Sequence, residues 1–190
     1  MFVDHQPLIA DFAHRSPENL YRVFQFVQTT IRRPFYTVPG VLQDLKHTGV
    51  SKYLTGRQQN ALGYYWENKE TIYERLYSNL AIQHKFWFCC QLPGLHLVKG
   101  GFILQLVLGT AGCVDRHDTA QLGLPKTYWE TPKRNMTKLY RKILVYLQFT
   151  GILGCGNLWN FWCNHVAHLY PRKLPNAEYV SWLHVEGICL

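Results

Sequence analysis

Apolar residues in this chain recur at steps of three and four, the period of an α-helix, and seldom at steps of two. Leu20, Val23, Phe24, Val27 and Ile31 form one such stripe. Ser16-Pro17-Glu18 opens it with a capping hydroxyl, a proline at the first helical position and an early acid, and Arg32-Arg33-Pro34 closes it. A short helix is predicted at 41–47, after Pro39-Gly40, and two more between 55 and 77, in an aromatic pattern holding Tyr64, Tyr65, Trp66 and Tyr73. A helix over 80–91 stops at Pro93-Gly94, a strong breaker pair, and an apolar helix over 98–108 runs out at Gly109 to Gly112. A short helical piece is predicted at 118–122. Leu139, Ile143, Leu144 and Leu147 mark the inner face of a helix over 137–148, with Lys138, Arg141 and Lys142 off that face. A turn at 154–157, a helix over 158–169 with Leu158-Trp159-Asn160-Phe161-Trp162 in the core, and a tail from Pro171 that packs back complete the pattern. With almost no strand signal, the fold class is all-α.

At 190 residues the chain is one compact domain, or one domain folded as two lobes, a lobe over about 50–135 and a second from 1–49 plus 136–190. A hydrophobic content of 47% excludes a disordered chain. Twenty basic residues against 12 acidic ones give a formal charge of +8, which suits nucleic acid or an anionic membrane surface, or serves solubility alone. No run reaches the ~18–20 apolar residues of a membrane span. The longest, Gly101–Leu108, is interrupted by Gln105, and Asp4 and Asp11 stand where a secretory leader needs positive charge. The chain therefore reads as intracellular and without a membrane partner, and its six cysteines as thiols, Cys89-Cys90 in the core. No cysteines show the paired spacing of a zinc site, so neither a metal nor a cofactor is expected.

One stretch is not generic. Phe88 to Leu92 is an apolar helix end, Pro93-Gly94 a tight bend, and Val98 to Leu108 a second apolar helix with Gly100 and Gly101 near its start; then come a glycine-containing loop and Val114-Asp115-Arg116-His117. A bend leading into a helix presents backbone N–H groups at a positive terminus, which suits a phosphate oxygen, and Gly94 lets an anion come close. Gly100 and Gly101 let two helices pack tightly. The stretch resembles the helix-hairpin-helix DNA glycosylase superfamily, the endonuclease III-like base-excision enzymes, whose hairpin reads Leu-Pro-Gly-apolar-Gly and is followed one helix downstream by Val-Asp-x-His. Leu92-Pro93-Gly94-Leu95 and Gly100 match the first block and Val114 to His117 the second, over residues 88–118.

The resemblance implies a two-lobed helical bundle, double-stranded DNA as partner, and Asp115 as the carboxylate that stabilises an oxocarbenium-like sugar and directs water onto it, with the base extruded into a cleft. His117 is expected to orient the Asp115 loop. Gly94, Leu95, His96 and Lys99 fall in the DNA-binding hairpin. Arg116, Lys126, Lys133, Arg134 and Lys138 either line a DNA backbone or form a solvated basic face. Two departures matter. His96 replaces the second hairpin glycine, and Val98 stands where bifunctional members carry a Schiff-base lysine; Lys99 is one residue along, turned by ~100° on a helix. The resemblance therefore implies a monofunctional N-glycosylase without a lyase step. Two alternatives remain: an enzyme of thymine or pyrimidine hypermodification from a divergent, phage-type branch, and a non-catalytic DNA-binding or structural protein that kept the hairpin. Tyr64, Tyr65 and Trp66 are read either as base-stacking groups or as core.

Overall fold

In the computed structural model residues 15–31, 37–132, 135–154 and 157–158 are described, the side chains of Pro39 and His117 excepted. Among them the chain forms eight α-helices and no strand, as the all-α pattern requires: α1 (Pro17–Thr29), α2 (Val38–Thr48), α3 (Gly56–Glu67), α4 (Lys69–Tyr77), α5 (Ile82–Gln91), α6 (Leu97–Leu108), α7 (Arg116–Gln121) and α8 (Met136–Leu153). Capping chemistry sets several starts. The Ser16 hydroxyl accepts the Asn19 N–H at 3.1 Å, Thr55 and Gln58 cap each other reciprocally, and the Asn135 side chain accepts the Lys138 N–H at 2.8 Å. The expected helix at 158–169 and the tail from 171 lie outside the described residues, apart from Leu158, which is buried.

Helix α1 is the hub. It packs on α2, α3, α4 and α6, while α5 lies against both α6 and α8. Leu20, Val23, Phe24 and Val27 are all buried, and the same apolar cluster continues through the other helices to Leu139, Ile143 and Tyr146 of α8. Cys89 and Cys90 are core thiols. Burial pushes both thiols up, away from the reactive thiolate.

Three expectations need adjusting. The inner face of α8 is Leu139, Ile143, Tyr146 and Thr150, whereas Leu144 is 45% exposed, because the buried stripe follows steps of four, three and four and Leu144 sits ~100° away from Ile143. The helix also runs on past Gln148 to Leu153, since Thr150 is buried and its hydroxyl bonds back to the Tyr146 carbonyl at 2.9 Å. The third concerns the glycine pair. Gly100 does serve helix packing: a Cβ there would stand 3.2 Å from the Phe86 ring and 3.4 Å from Cys89 on α5. Gly101 instead admits the loop after α6, for its Cβ would stand 2.6 Å from the Gly112 carbonyl oxygen and 2.9 Å from the Tyr146 ring.

Replacing Gly101 by alanine is accordingly expected to cost about 1–3 kcal/mol through overpacking. Gly63→Ala, on α3 with open space around it, is expected to gain about 0.5–1 kcal/mol. Urea unfolding of the two variants checks the contrast, and equal midpoints would contradict it.

Candidate functional site

The bend between α5 and α6 is built by its own residues. The Leu95 N–H donates to the Leu92 carbonyl at 3.1 Å, with Pro93 second and Gly94, at φ +71°, third, the residue pattern of a type II turn that only glycine fills without strain. Its underside is anchored. The Tyr65 hydroxyl donates to the Pro93 carbonyl, Gln28 Nε2 donates to the Tyr65 oxygen at 3.1 Å, and Gln58 Nε2 donates to the Gln28 carbonyl at 2.7 Å. Leu95 is buried, so the bend shows solvent Pro93, Gly94 and His96. His96 precedes α6 in extended backbone and gives it no side-chain cap. The Thr131 hydroxyl accepts the Leu97 N–H at 2.8 Å instead, which leaves the N–H groups of Val98 and Lys99 in the first turn, at the positive end of the helix.

A second set of contacts delivers Asp115. The buried Tyr146 hydroxyl accepts the Val114 N–H at 3.0 Å and donates to the Gly112 carbonyl at 2.7 Å, and Gln105 Oε1 accepts the Cys113 N–H at 2.9 Å. Gln105, the polar break in the apolar run, is thus the amide that fastens the loop to α6. Asp115 then starts α7: its Oδ1 accepts the Asp118 N–H at 3.2 Å, and Asp118 Oδ2 accepts the Asp115 N–H at 2.9 Å. This reciprocal cap begins α7 at Arg116, two residues before the predicted start. Asp115 is half-buried and Asp118 only 2% exposed.

The two acids differ in surroundings. Burial, reinforced by the Asp115 charge, pushes the Asp118 carboxyl up to about 7, against the opposing pull of the Asp115 N–H and of Lys99. Lys99 reaches the same neighbourhood: its Nζ lies 3.2 Å from the Thr30 hydroxyl and 5.2 Å from the centre of the Phe102 ring. It is half-buried and acts electrostatically on both Cys113 and Asp118. The group therefore combines a half-exposed carboxylate, a buried carboxyl that holds its proton near neutrality, and an amine. Such a set can stabilise developing positive charge and exchange a proton with water.

Of the other residues read from the sequence, Arg116 is exposed on α7 and Lys126 is exposed on the segment before Trp129. The backbone of His117 belongs to α7; its side chain, together with Lys133 and Arg134, lies outside the described residues. Tyr65 is core, whereas Tyr64 and Trp66 are 42% and 49% exposed. The sequence reading missed Asp118, although its three-residue spacing from Asp115 is that of a capping box. It also missed Tyr146 and Thr131, whose partners are 32 and 34 residues away. No local pattern marks either contact.

A carboxyl raised on folding binds its proton more tightly in the folded state. Its contribution to stability is therefore full below the ordinary value of 3.8 and is lost as pH climbs through about 7. Between pH 5 and 8 the unaltered protein is expected to lose about 2 kcal/mol that Asp118→Asn, which still offers an acceptor to the Asp115 N–H, does not lose. Urea unfolding at the two pH values measures this; identical losses would refute it. Comparisons with protein-family models, with curated proteins and with solved structures find no match to this chain.

Proposed function

We propose that this chain is a helix-hairpin-helix DNA-binding protein that processes a base turned out of the duplex, most specifically a monofunctional N-glycosylase using Asp115. The observation that carries the reading is that the exposed Pro93-Gly94 bend and the Asp115 loop are both fixed to α6. The bend leads directly into the helix, and Gln105 and the close approach at Gly101 clamp the loop to it. An enzyme that grips a strand and attacks one sugar needs that separation held constant, because misplacement by about 1 Å costs on the order of a hundredfold in rate. The Lys99 amine hydrogen-bonds the Thr30 hydroxyl and acts electrostatically on the buried Asp118, an arrangement that supports water rather than Lys99 as nucleophile.

A second reading, a hairpin protein that binds DNA without chemistry, draws support from one feature: the Asp115 carboxylate already serves as the cap of α7. Asparagine caps a helix about as well as aspartate, so Asp115→Asn keeps α7 and removes the charge. On duplexes carrying damaged or modified bases, 5-hydroxymethyluracil among them, the unaltered protein is expected to form abasic sites. Asp115→Asn is expected to be slower by about 10²–10⁴-fold. Turnover unchanged by the substitution rules out the aspartate mechanism, and binding without base loss on any duplex selects the second reading.

A further inference from the structure

We infer that the first half of α8 is a second contact for the DNA backbone, in which Lys138, Arg141 and Lys142 hold phosphates beside those reached by the bend and the start of α6. This rests on the proposal that the partner is duplex DNA, and adds a surface outside the hairpin and the acid loop.

The charges of α8 are arranged against the comfort of the free protein. Its 18 residues hold three cations and no acid, and all three cations fall in the first seven residues, near the end where the helix dipole is already positive. Lys138 and Lys142 are four residues apart and Lys138 and Arg141 three, both repulsive spacings on a helix. Partial burial and the charge of Lys138 together lower the Lys142 ammonium, with Glu130 the opposing acid. Lys138 and Arg141 are exposed, and among the described residues their side chains make no ion pair or hydrogen bond. Packing does not require them, because the inner face is Leu139, Ile143, Tyr146 and Thr150. A polyanion relieves what the fold leaves uncompensated.

Position ties this patch to the bend. Lys142 Nζ donates to the Glu130 carbonyl at 2.5 Å, and the next residue, Thr131, takes the Leu97 N–H at the start of α6. Adjacent residues therefore bridge the two helices. From Thr131 to the cap at Asn135 the chain spans at most about 14 Å. B-form DNA presents one charge per about 1.7 Å of axis, so one duplex meets both helix starts within about eight phosphates.

The test is fluorescence anisotropy of a labelled mixed-sequence duplex across a salt series. The double variant Lys138→Gln/Arg141→Gln leaves Lys142 and the Asn135 cap intact. It is expected to bind about 10–100-fold more weakly, with the slope of log K against log salt reduced by about 2. Lys46→Gln/Lys52→Gln, which removes the same charge from exposed positions at and after α2, is expected to change affinity less than about threefold and to leave the slope nearly unaltered. The charge-conserving swap Lys138→Arg/Arg141→Lys is expected to bind like the unaltered protein. Equal losses in both neutralised variants, or none at α8, overturn the inference. Binding that falls with His96→Glu but ignores α8 overturns it while sparing the hairpin reading; no salt-dependent duplex binding by the unaltered protein overturns both.

Discussion

The geometry of this protein turns on one buried hydroxyl. Tyr146 reaches from α8 to the loop after α6, taking the N–H of Val114 and returning a hydrogen bond to the carbonyl of Gly112. A loop backbone drawn this far into an apolar interior has polar groups that water cannot serve, so each must find a protein partner. Tyr146 and Gln105 between them meet three of those demands. The approach is possible only because Gly101 leaves α6 bare at the point of contact. Phe86 and Trp129 pack edge-on against the Tyr146 ring at 5.3 and 4.6 Å and hold it in place. Asp115 stands where it does because this cluster leaves the preceding residues no alternative.

How much of this the sequence disclosed depends on the range of the interaction. Ser16-Pro17-Glu18, the α1 stripe and the stop at Pro93-Gly94 are signalled by residues a few positions apart, and each is found near its predicted place, while the two helices expected between 55 and 77 are both present although no local signal marks the break between them. The glycine pair was legible as a sign of close packing, but not in its division of labour, since what meets Gly101 is a carbonyl from beyond the end of the helix. Hydrophobicity alone cannot separate Ile143 from its neighbour Leu144, and the inward place of Tyr146 depends on a hydroxyl whose partners are more than thirty residues distant. Within the site, Asp115 was singled out by its motif; the proximity of Asp118 and Lys99 is a tertiary fact.

Burial also divides the charges into two populations. Near the Asp115 loop the ionisable groups are few, close and shielded, so each one's state depends on its neighbours. Along the outer side of α8, Lys138 and Arg141 are open to solvent. The first arrangement suits chemistry on a small group, the second attraction over a length of backbone.

The tyrosine–glutamine relay beneath the bend has its own consequence. Because Tyr65, Gln28 and Gln58 hold the Pro93 carbonyl from below, the shape of the bend is decided by α1 and α3 rather than by whatever lands on it. A partner arriving there meets a rigid, finished template and forfeits little entropy in ordering it. By the same token, substitutions deep in α1, far from any surface, will be felt at the tip of the turn.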